Sequence, residues 1–336
     1  MTRSHISARG RSGAGRRDSE DAVVLAVSPH VTERDRWLVR LVAEHRVLTT
    51  DQLTALGFGN ITTARHRLAL LTGLKVLRRF RPHPETGSAP WHYLLGPVGA
   101  ALLGAEDRDE KRWAPQVRAD RQLALERSRL LAHMTGRNWF FIALHQDAGG
   151  DLREWLSEAG TATRYATRAG LTVREMRRLA NPDGAGTWAE DGREVSFLLE
   201  YDTGTENLTA LSGKLKGYGD LSAALAGRDH DCPPLLFCFS SPRREQSARR
   251  ALAATTDARA LRIATTAIDP RVTSPAGPVW LPLTGQSGGQ VRLIDLAALP
   301  DPWQEARDRQ REELAAWHER VNGRPGPDPG TEGTRA

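Results

Sequence analysis

Residues 194–218, EVSFLLEYDTGTENLTALSGKLKGY, decide how the rest of the chain is interpreted. They open with a short, partly β-branched apolar run of Val195, Phe197, Leu198 and Leu199, which is typical of a buried strand. Glu200 and Asp202 follow two positions apart at the carboxyl end of that strand, where side-chain alternation puts both carboxylates on one face. Residues 203–205 then turn the chain into a helix.

A small cluster of carboxylates is expected at this strand end. Asp183 lies in a turn-forming tetrad, residues 181–184, before a weakly apolar segment that can pair with the strand as a hairpin. Like charges this close raise each other's pKa or bind a cation. A site formed by Asp183, Glu200 and Asp202 suits Mg²⁺ or Mn²⁺. Lys214, on the following helix, is expected to point back over the cluster.

These residues resemble the second half of the replication-relaxation family, which is associated with plasmids and other mobile elements. The matching pattern is Pro182-Asp183, Glu200-x-Asp202-x-Gly204-Thr205, Lys214 and Tyr218. The resemblance implies a PD-(D/E)XK nuclease fold, in which a Pro-Asp and a Glu-x-Lys on adjacent strands hold a metal ion beside a phosphodiester. Here Asp202 stands where that motif has lysine, so Lys214 would have to supply the amine from the helix.

The amino-terminal third predicts three short helices and two strands. Thr32 caps a helix that runs to about His45, and further cap signals lie at residues 48–51 and 60–63. Residues 76–81 and 91–95 alternate like the strands of a hairpin, with a polar tip between them. Together these elements predict a winged helix-turn-helix over residues 30–104. Its pattern also resembles the family's first half: Leu48-Thr49-Thr50-Asp51-Gln52-Leu53, Arg67-Leu68, Leu71, Gly73, Leu74, Arg78-Arg79, Tyr93-Leu94-Leu95 and Gly99.

Basic side chains of this unit are the candidate DNA contacts. On a duplex the third helix would enter the major groove, where its arginines reach base edges or phosphates, while those of the hairpin neutralise the backbone. Winged helices also serve as protein-docking modules, and an arginine on a helix is often only solvated; both alternatives stay open. The candidate contacts are Arg65, His66, Arg67, Lys75, Arg78, Arg79 and Arg81.

The expected fold class is α+β or α/β, with the winged helix-turn-helix followed by an α/β restriction-endonuclease-like domain. We expect a disordered basic arm over residues 1–29, a linker over 105–118 and the nuclease-like domain over 119–300. That domain should open with one long helix carrying an apolar stripe of Leu123, Leu130, Leu131 and Met134. Periodicity leaves residues 139–144 undecided between helix and strand. A charged helix and a disordered tail are expected over 301–336.

Composition favours a polyanionic partner. The chain has 336 residues, 39% of them hydrophobic, which suffices for the cores of two domains. Its formal net charge is +6 and its pI about 9.8. Such a balance suits nucleic acid or an anionic surface, and a soluble basic protein without such a partner is the alternative.

The sequence also limits the compartment. No apolar run approaches the ~18 residues of a membrane span, and no apolar stretch follows the arginines at the amino terminus. We therefore expect neither secretion nor membrane insertion. The two cysteines, Cys232 and Cys238, fit reduced thiols of the cytoplasm better than a disulfide framework or a zinc site.

Several enzyme classes lack their signatures. There is no phosphate-binding loop, no Gly-x-Ser-x-Gly turn and no His-Glu-x-x-His helix. The ten histidines are scattered, without the clustered spacing of a relaxase's metal-binding triad. This argues against the chain itself being the nickase of a mobile element.

Three functions remain open. The first is a DNA-binding accessory protein of plasmid or integrative-element replication or relaxation, with double-stranded DNA and a relaxase or replication protein as partners and a nuclease-like domain that does not cut. The second is a Mg²⁺-dependent DNA endonuclease, in which Asp183, Glu200 and Asp202 hold the metal and Lys214 orients the attacking water or stabilises the phosphorane charge. The third is a winged-helix transcription regulator whose α/β domain binds a ligand or dimerises.

Overall fold

The structure is a computed structural model. The residues that it describes are 22–82, 89–109, 111–128, 130–204, 206–283 and 289–304, with 307–309, 311–313, 315 and 317. The expected hairpin tip and carboxyl-terminal tail therefore lie wholly or largely outside the described residues. Of the basic arm expected to be disordered, residues 22–27 are described and form a helix, so that part of the prediction is wrong. None of the helices in the described part of the chain is long and apolar enough to span a membrane.

Residues 31–109 form the N-terminal unit, which contains four helices and a small sheet. Thr32 and Thr49 form capping boxes and Asn60 caps the third helix, as the sequence predicted. The three strands are antiparallel in the order β1-β3-β2. The elements are α1 (Glu33–His45), β1 (Leu48–Thr49), α2 (Thr50–Gly57), α3 (Ile61–Gly73), β2 (Leu77–Phe80), β3 (His92–Leu95) and α4 (Pro97–Asp107).

The rest of the described chain is built on a six-stranded mixed sheet, called here the large sheet. Its order is β4-β5-β6-β7-β8-β9, in which β6, β7 and β8 run parallel and the other pairs are antiparallel. The strands are β4 (Asp151–Ser157), β5 (Gly184–Glu190), β6 (Arg193–Asp202), β7 (Leu235–Phe239), β8 (Ile263–Thr266) and β9 (Leu281–Pro282). The helices are α5 (Ala119–Glu126), α6 (Leu131–Gln146), α7 (Glu158–Ala169), α8 (Val173–Leu179), α9 (Leu208–Ala226) and α10 (Pro242–Ala253). The mixed α+β class is thus confirmed.

Both faces of the large sheet are covered, and β6 shows why. Leu198 belongs to a core shared with α7, α8, α9 and α10. Its neighbours Phe197 and Leu199 belong to a second core, which α6 and Trp280 close from the other side. Side chains of a strand alternate between faces, so a strand buried on both sides is apolar on both, as the fully buried residues 197–199 are.

Helix α6 joins the N-terminal unit to the large sheet. Phe140 and Phe141 pack in the core under the sheet, whereas Ile142 packs in the core of the N-terminal unit. Asn138 Nδ2 donates to the carbonyl of Val47 at 2.9 Å across that junction. Residues 139–144, undecided from the sequence, are therefore helical because both of their sides are buried.

The predicted long helix from residue 119 onward is wrong. The helix is interrupted between α5 and α6. Two residues of the expected apolar stripe, Leu123 and Leu130, are 46% and 63% exposed. The segment expected as a linker, residues 105–118, contains the end of α4 and a buried Trp113, whose Nε1 donates to Asp107 at 2.8 Å.

Candidate functional site

Asp183 reaches the end of β6 through the predicted hairpin. Its backbone N–H donates to the carbonyl of Leu199 at 2.9 Å. Its Oδ2 accepts from the backbone N–H of Tyr201 at 2.8 Å and lies 3.1 Å from Nε2 of His133 on α6. Arg137, one turn further along α6, donates to the carbonyl of Asp183 at 3.1 Å. Asp183 is thus held between the sheet and α6.

Glu200 is buried, with 4% of its surface exposed. Lys214 Nζ donates to its Oε2 at 2.9 Å and also lies 3.0 Å from Glu206 Oε2. The hydroxyl of Tyr218 donates to Glu200 Oε1. Lys214 and Tyr218 lie four positions apart on α9, so they share a face of that helix. The sequence-based expectation that Lys214 points back toward the strand end agrees with this contact.

Asp202 has a different partner. Arg244, in the first turn of α10, donates to Asp202 Oδ2 through Nη2 at 2.7 Å and Nε at 3.2 Å. The backbone N–H of Gly204, at φ +87°, donates to the other oxygen. Glycine suits this left-handed position because it has no Cβ to clash. The carboxylate of Asp202 is therefore neutralised at the α10 side of the strand end.

Burial and neighbouring charges together explain the pKa shifts of this group. Burial and the charge of Asp183 raise the pKa of Glu200 to about 7 from an ordinary 4.5, although Lys214 and Tyr218 oppose this. Burial lowers the pKa of Lys214, but Glu200 and Glu206 outweigh it, so the pKa is raised and the ammonium stays charged. Burial likewise lowers the pKa of His133, and the hydrogen bond and charge of Asp183 reverse that shift.

The oxygen donors fit a metal ion only in part. In the described part of the chain, no group of three or more His, Cys, Asp or Glu side chains is arranged to hold one. Asp183 and Glu200 lie close enough for one charge to raise the other's pKa, whereas Asp202 pairs with Arg244. Asp183, Glu200 and Lys214 are therefore the groups that could bind a metal ion or act on a phosphodiester.

Most of the seven residues predicted to contact DNA are exposed at the surface of the N-terminal unit. Arg65, His66 and Lys75 are exposed at α3 and just after it. Arg79 and Arg81 are also exposed, and their guanidinium carbons lie 4.3 and 4.5 Å from the ring centre of Trp91. Stacking of this kind holds an arginine at the surface without neutralising it.

Two of the seven have partners within the protein. Arg67 forms an ion pair with Asp35, which is fully buried, and also donates to the carbonyl of His30 at 2.7 Å. Arg78 donates to Oε1 of Gln122 on α5. These bonds tie α3 to α1 and β2 to α5, so both arginines have structural roles.

Sequence reasoning missed three residues of the acidic site. His133, Arg137 and Arg244 contact Asp183 or Asp202, yet they lie 50, 46 and 42 positions away from those partners. The sequence carries no local signal for such pairs. Only a basic residue in the first turn after a strand, as at Arg244, hints at a strand-end contact.

The sequence model of the replication-relaxation family matches residues 39–233, which is more than half of the chain. The chain belongs to the replication-relaxation family. The matched region contains Asp183, Glu200, Asp202 and Lys214. Membership suggests a role in the replication or relaxation of plasmids or other mobile elements. No curated protein and no solved structure was found to match the chain.

The stability of this replication-relaxation protein is expected to fall as pH rises from about 5.5 to about 7. The pKa of Glu200 is about 7 in the folded chain against 4.5 as its ordinary value. The folded state therefore holds this proton more tightly, and the stability it contributes is lost as pH rises through about 7. The wild-type protein should lose about 1.5 kcal/mol more over this range than the Glu200→Gln variant.

Urea unfolding at both pH values measures this difference. The charge of Glu200 also helps to raise the pKa of His133, so the comparison measures the titration of Glu200 together with its effect on His133. Glu194→Gln, at an exposed position of the same strand, is the control and should follow the wild type. Equal pH dependence in the wild type and Glu200→Gln would show that Glu200 titrates as an ordinary glutamate.

Proposed function

We propose that this protein is a DNA-binding accessory factor of plasmid or integrative-element replication or relaxation. Its N-terminal unit acts as a winged helix-turn-helix that binds duplex DNA. The large sheet and its helices form a nuclease-like domain that contacts DNA or a partner, such as a relaxase or replication protein, without cutting.

The N-terminal unit supports duplex binding by its shape and its free charges. Helix α3 follows α2 after a tight turn and carries the exposed Arg65 and His66, while Lys75, Arg79 and Arg81 lie on the adjoining hairpin side. A helix that enters the major groove next to a basic hairpin can contact base edges and phosphates at once. The net charge of +6 adds a favourable long-range attraction.

The single observation that carries the non-cutting role is the pairing of all three carboxylates with basic side chains of the protein. Asp183 contacts His133, Glu200 contacts Lys214, and Asp202 contacts Arg244. A hard cation such as Mg²⁺ prefers free carboxylate oxygens. For Asp202 to bind it, the buried ion pair with Arg244 would have to break, which costs several kcal/mol because Arg244 is left without its counter-charge.

A Mg²⁺-dependent endonuclease is the second candidate, and one observation favours it. The raised pKa of Glu200, about 7, reflects its burial and the nearby charge of Asp183, which Lys214 and Tyr218 offset only in part. In this alternative Asp183 and Glu200 would hold the metal, which supplies Lewis-acid stabilisation of the phosphorane. Lys214 would then orient the attacking water or stabilise the developing charge.

Supercoiled plasmid incubated with the protein, with and without Mg²⁺, separates the two candidates. We expect a salt-sensitive mobility shift and no nicked or linear product, and the same for Glu200→Gln. Mg²⁺-dependent nicking that Glu200→Gln abolishes while binding persists would establish the endonuclease instead.

Fluorescence anisotropy with a labelled duplex tests the binding surface. The duplex double variant, Arg65→Gln with Arg79→Gln, should reduce the slope of log affinity against log salt by about 1.8, because about 0.9 is lost per phosphate contact. The control double variant, Arg118→Gln with Arg178→Gln, removes the same charge at exposed positions on α8 and next to α5. It should leave the slope unchanged, and equal losses in both variants would contradict the proposed surface.

A further inference from the structure

A cleft separates the N-terminal unit from α7 and α8, with a volume of about 1080 Å³. We call it the arginine cleft. Seven arginines line it against two carboxylates, Glu44 and Glu158. The seven are Arg46, Arg112, Arg121, Arg137, Arg164, Arg168 and Arg177. A surface with so large an excess of one charge attracts a polyanion.

The described residues neutralise this excess charge only in part. Glu44 accepts from Ser157 at 2.7 Å and Glu158 from Asn181 at 3.0 Å, so neither carboxylate pairs with a cleft arginine. Arg112 and Arg164 have carboxylate partners outside the cleft lining. Among the described residues no carboxylate lies within 4 Å of the other five arginines, which leaves them available to an anion.

Arg137 shows that the charge extends to the bottom of the cleft. Only 5% of its surface is exposed, and its described hydrogen bonds go to the amide oxygen of Asn138 and the carbonyl of Asp183. Burying this guanidinium is costly, because burial lowers its pKa and the charges of Asp183 and Glu158 offset that shift only in part. An anion bound at this depth would offset that cost.

The arginine cleft continues into the acidic site. A second cavity of about 740 Å³ is lined by Asp183, Glu200 and Lys214, and it shares Arg46, Arg121 and Arg137 with the first. These shared arginines form the path from the open cleft to the carboxylates. A chain of phosphates lying along them would end beside Glu200.

The dimensions and the lining select a single strand over a duplex. The major groove of B-DNA alone is about 12 Å wide, so a whole duplex cannot enter a cleft of about 1080 Å³ to reach the buried Arg137. Between the arginines the walls are apolar, with Leu125, Met134 and Leu156. Unpaired bases bind apolar surface beside a basic track, whereas a duplex keeps its bases inside.

We propose that the arginine cleft binds one strand of DNA by its phosphates and leads it to the acidic site. This inference rests on the proposed function, namely that the protein binds DNA. It adds a second surface, separate from α3 and its hairpin, and a different form of DNA. The protein would then hold a duplex with the N-terminal unit and an unpaired strand in the cleft.

Anisotropy titrations of the full-length protein with a labelled oligothymidine and a labelled duplex test this. The cleft double variant, Arg121→Gln with Arg177→Gln, should weaken oligothymidine binding about tenfold and reduce its salt slope by about 1.4, since about 0.7 is lost per contact on a single strand. Its duplex affinity should stay within about twofold of the wild type. Both changed residues are exposed, so the variant should unfold at the wild-type urea concentration.

The control double variant removes two neighbouring arginines, Arg118 and Arg178, that do not line the cleft, and should bind both DNAs as the wild type does. The duplex double variant should lose duplex affinity alone. Oligothymidine binding that is absent, or weakened equally by the cleft and control variants, overturns the cleft inference while duplex binding stands. A wild-type protein that binds neither DNA overturns the proposed function as well.

Discussion

Gly217→Ala is expected to lower the free energy of unfolding by about 3 kcal/mol, at the upper end of overpacking effects. A Cβ at Gly217 would lie 1.6 Å from the backbone carbonyl oxygen of Leu179. That atom belongs to the last residue of α8 and cannot turn aside as a flexible side chain would. Helix α9 must therefore move away from α8 to admit even one methyl group.

The same displacement should disturb the acidic site. Lys214 and Tyr218 lie on either side of Gly217 along α9, and both donate to Glu200. A shifted α9 lengthens these bonds, so the pH dependence that Glu200 confers should change along with the stability.

Gly213→Ala is the matched control on the same helix. Nothing lies within 4 Å of a Cβ at Gly213, so alanine there should stabilise the protein by up to about 1 kcal/mol through helix propensity. Urea unfolding of both variants measures the contrast. Equal stability of the two variants would mean that α8 and α9 do not cross this closely.

Arg67→Leu is expected to cost about 3 kcal/mol, because it leaves a buried carboxylate unpaired. Asp35 is fully buried, and Arg67 Nε lies 3.1 Å from both of its oxygens. Asp35 also accepts hydrogen bonds from the backbone N–H and the hydroxyl of Thr32, the N-cap residue of α1. Without Arg67 the charge of Asp35 keeps only these neutral donors.

Arg65→Leu, at an exposed position on the same helix, should change stability by no more than about 0.5 kcal/mol. The deficit of Arg67→Leu should shrink toward about pH 4, because protonation of Asp35 removes the unpaired charge. Urea unfolding at neutral and acidic pH checks both statements. A loss that is the same at every pH would assign it to packing rather than to the charge of Asp35.

The parts of the fold that could be predicted are those that depend on residues close together in the sequence. Thr32, Thr49 and Asn60 form their caps with residues three positions away, a spacing that any reader of the sequence can recognise. The hairpin of β5 and β6 follows from one turn and one apolar run, and it brings Asp183 to the end of β6.

The ion-pair partners of Arg67 and Arg244 could not be predicted, since charge alone does not choose a partner. Arg67 was expected to contact DNA, yet it neutralises Asp35, 32 positions earlier. Asp202 was expected to share a metal with Glu200, yet it lies against Arg244. Tertiary packing decides which of many arginines meets which carboxylate, and no sequence period encodes that choice.

The two-sided burial of α6 limits how this polypeptide can be divided. A fragment ending at residue 118 would lack Ile142, which completes the core of the N-terminal unit, and Asn138, which caps the free carbonyl of Val47. A fragment beginning after α6 would lose Phe140 and Phe141, which pack against one face of the large sheet. Any fragment that keeps the core of the N-terminal unit must therefore include α6, and it would then expose Phe140 and Phe141, which pack in the core of the large sheet.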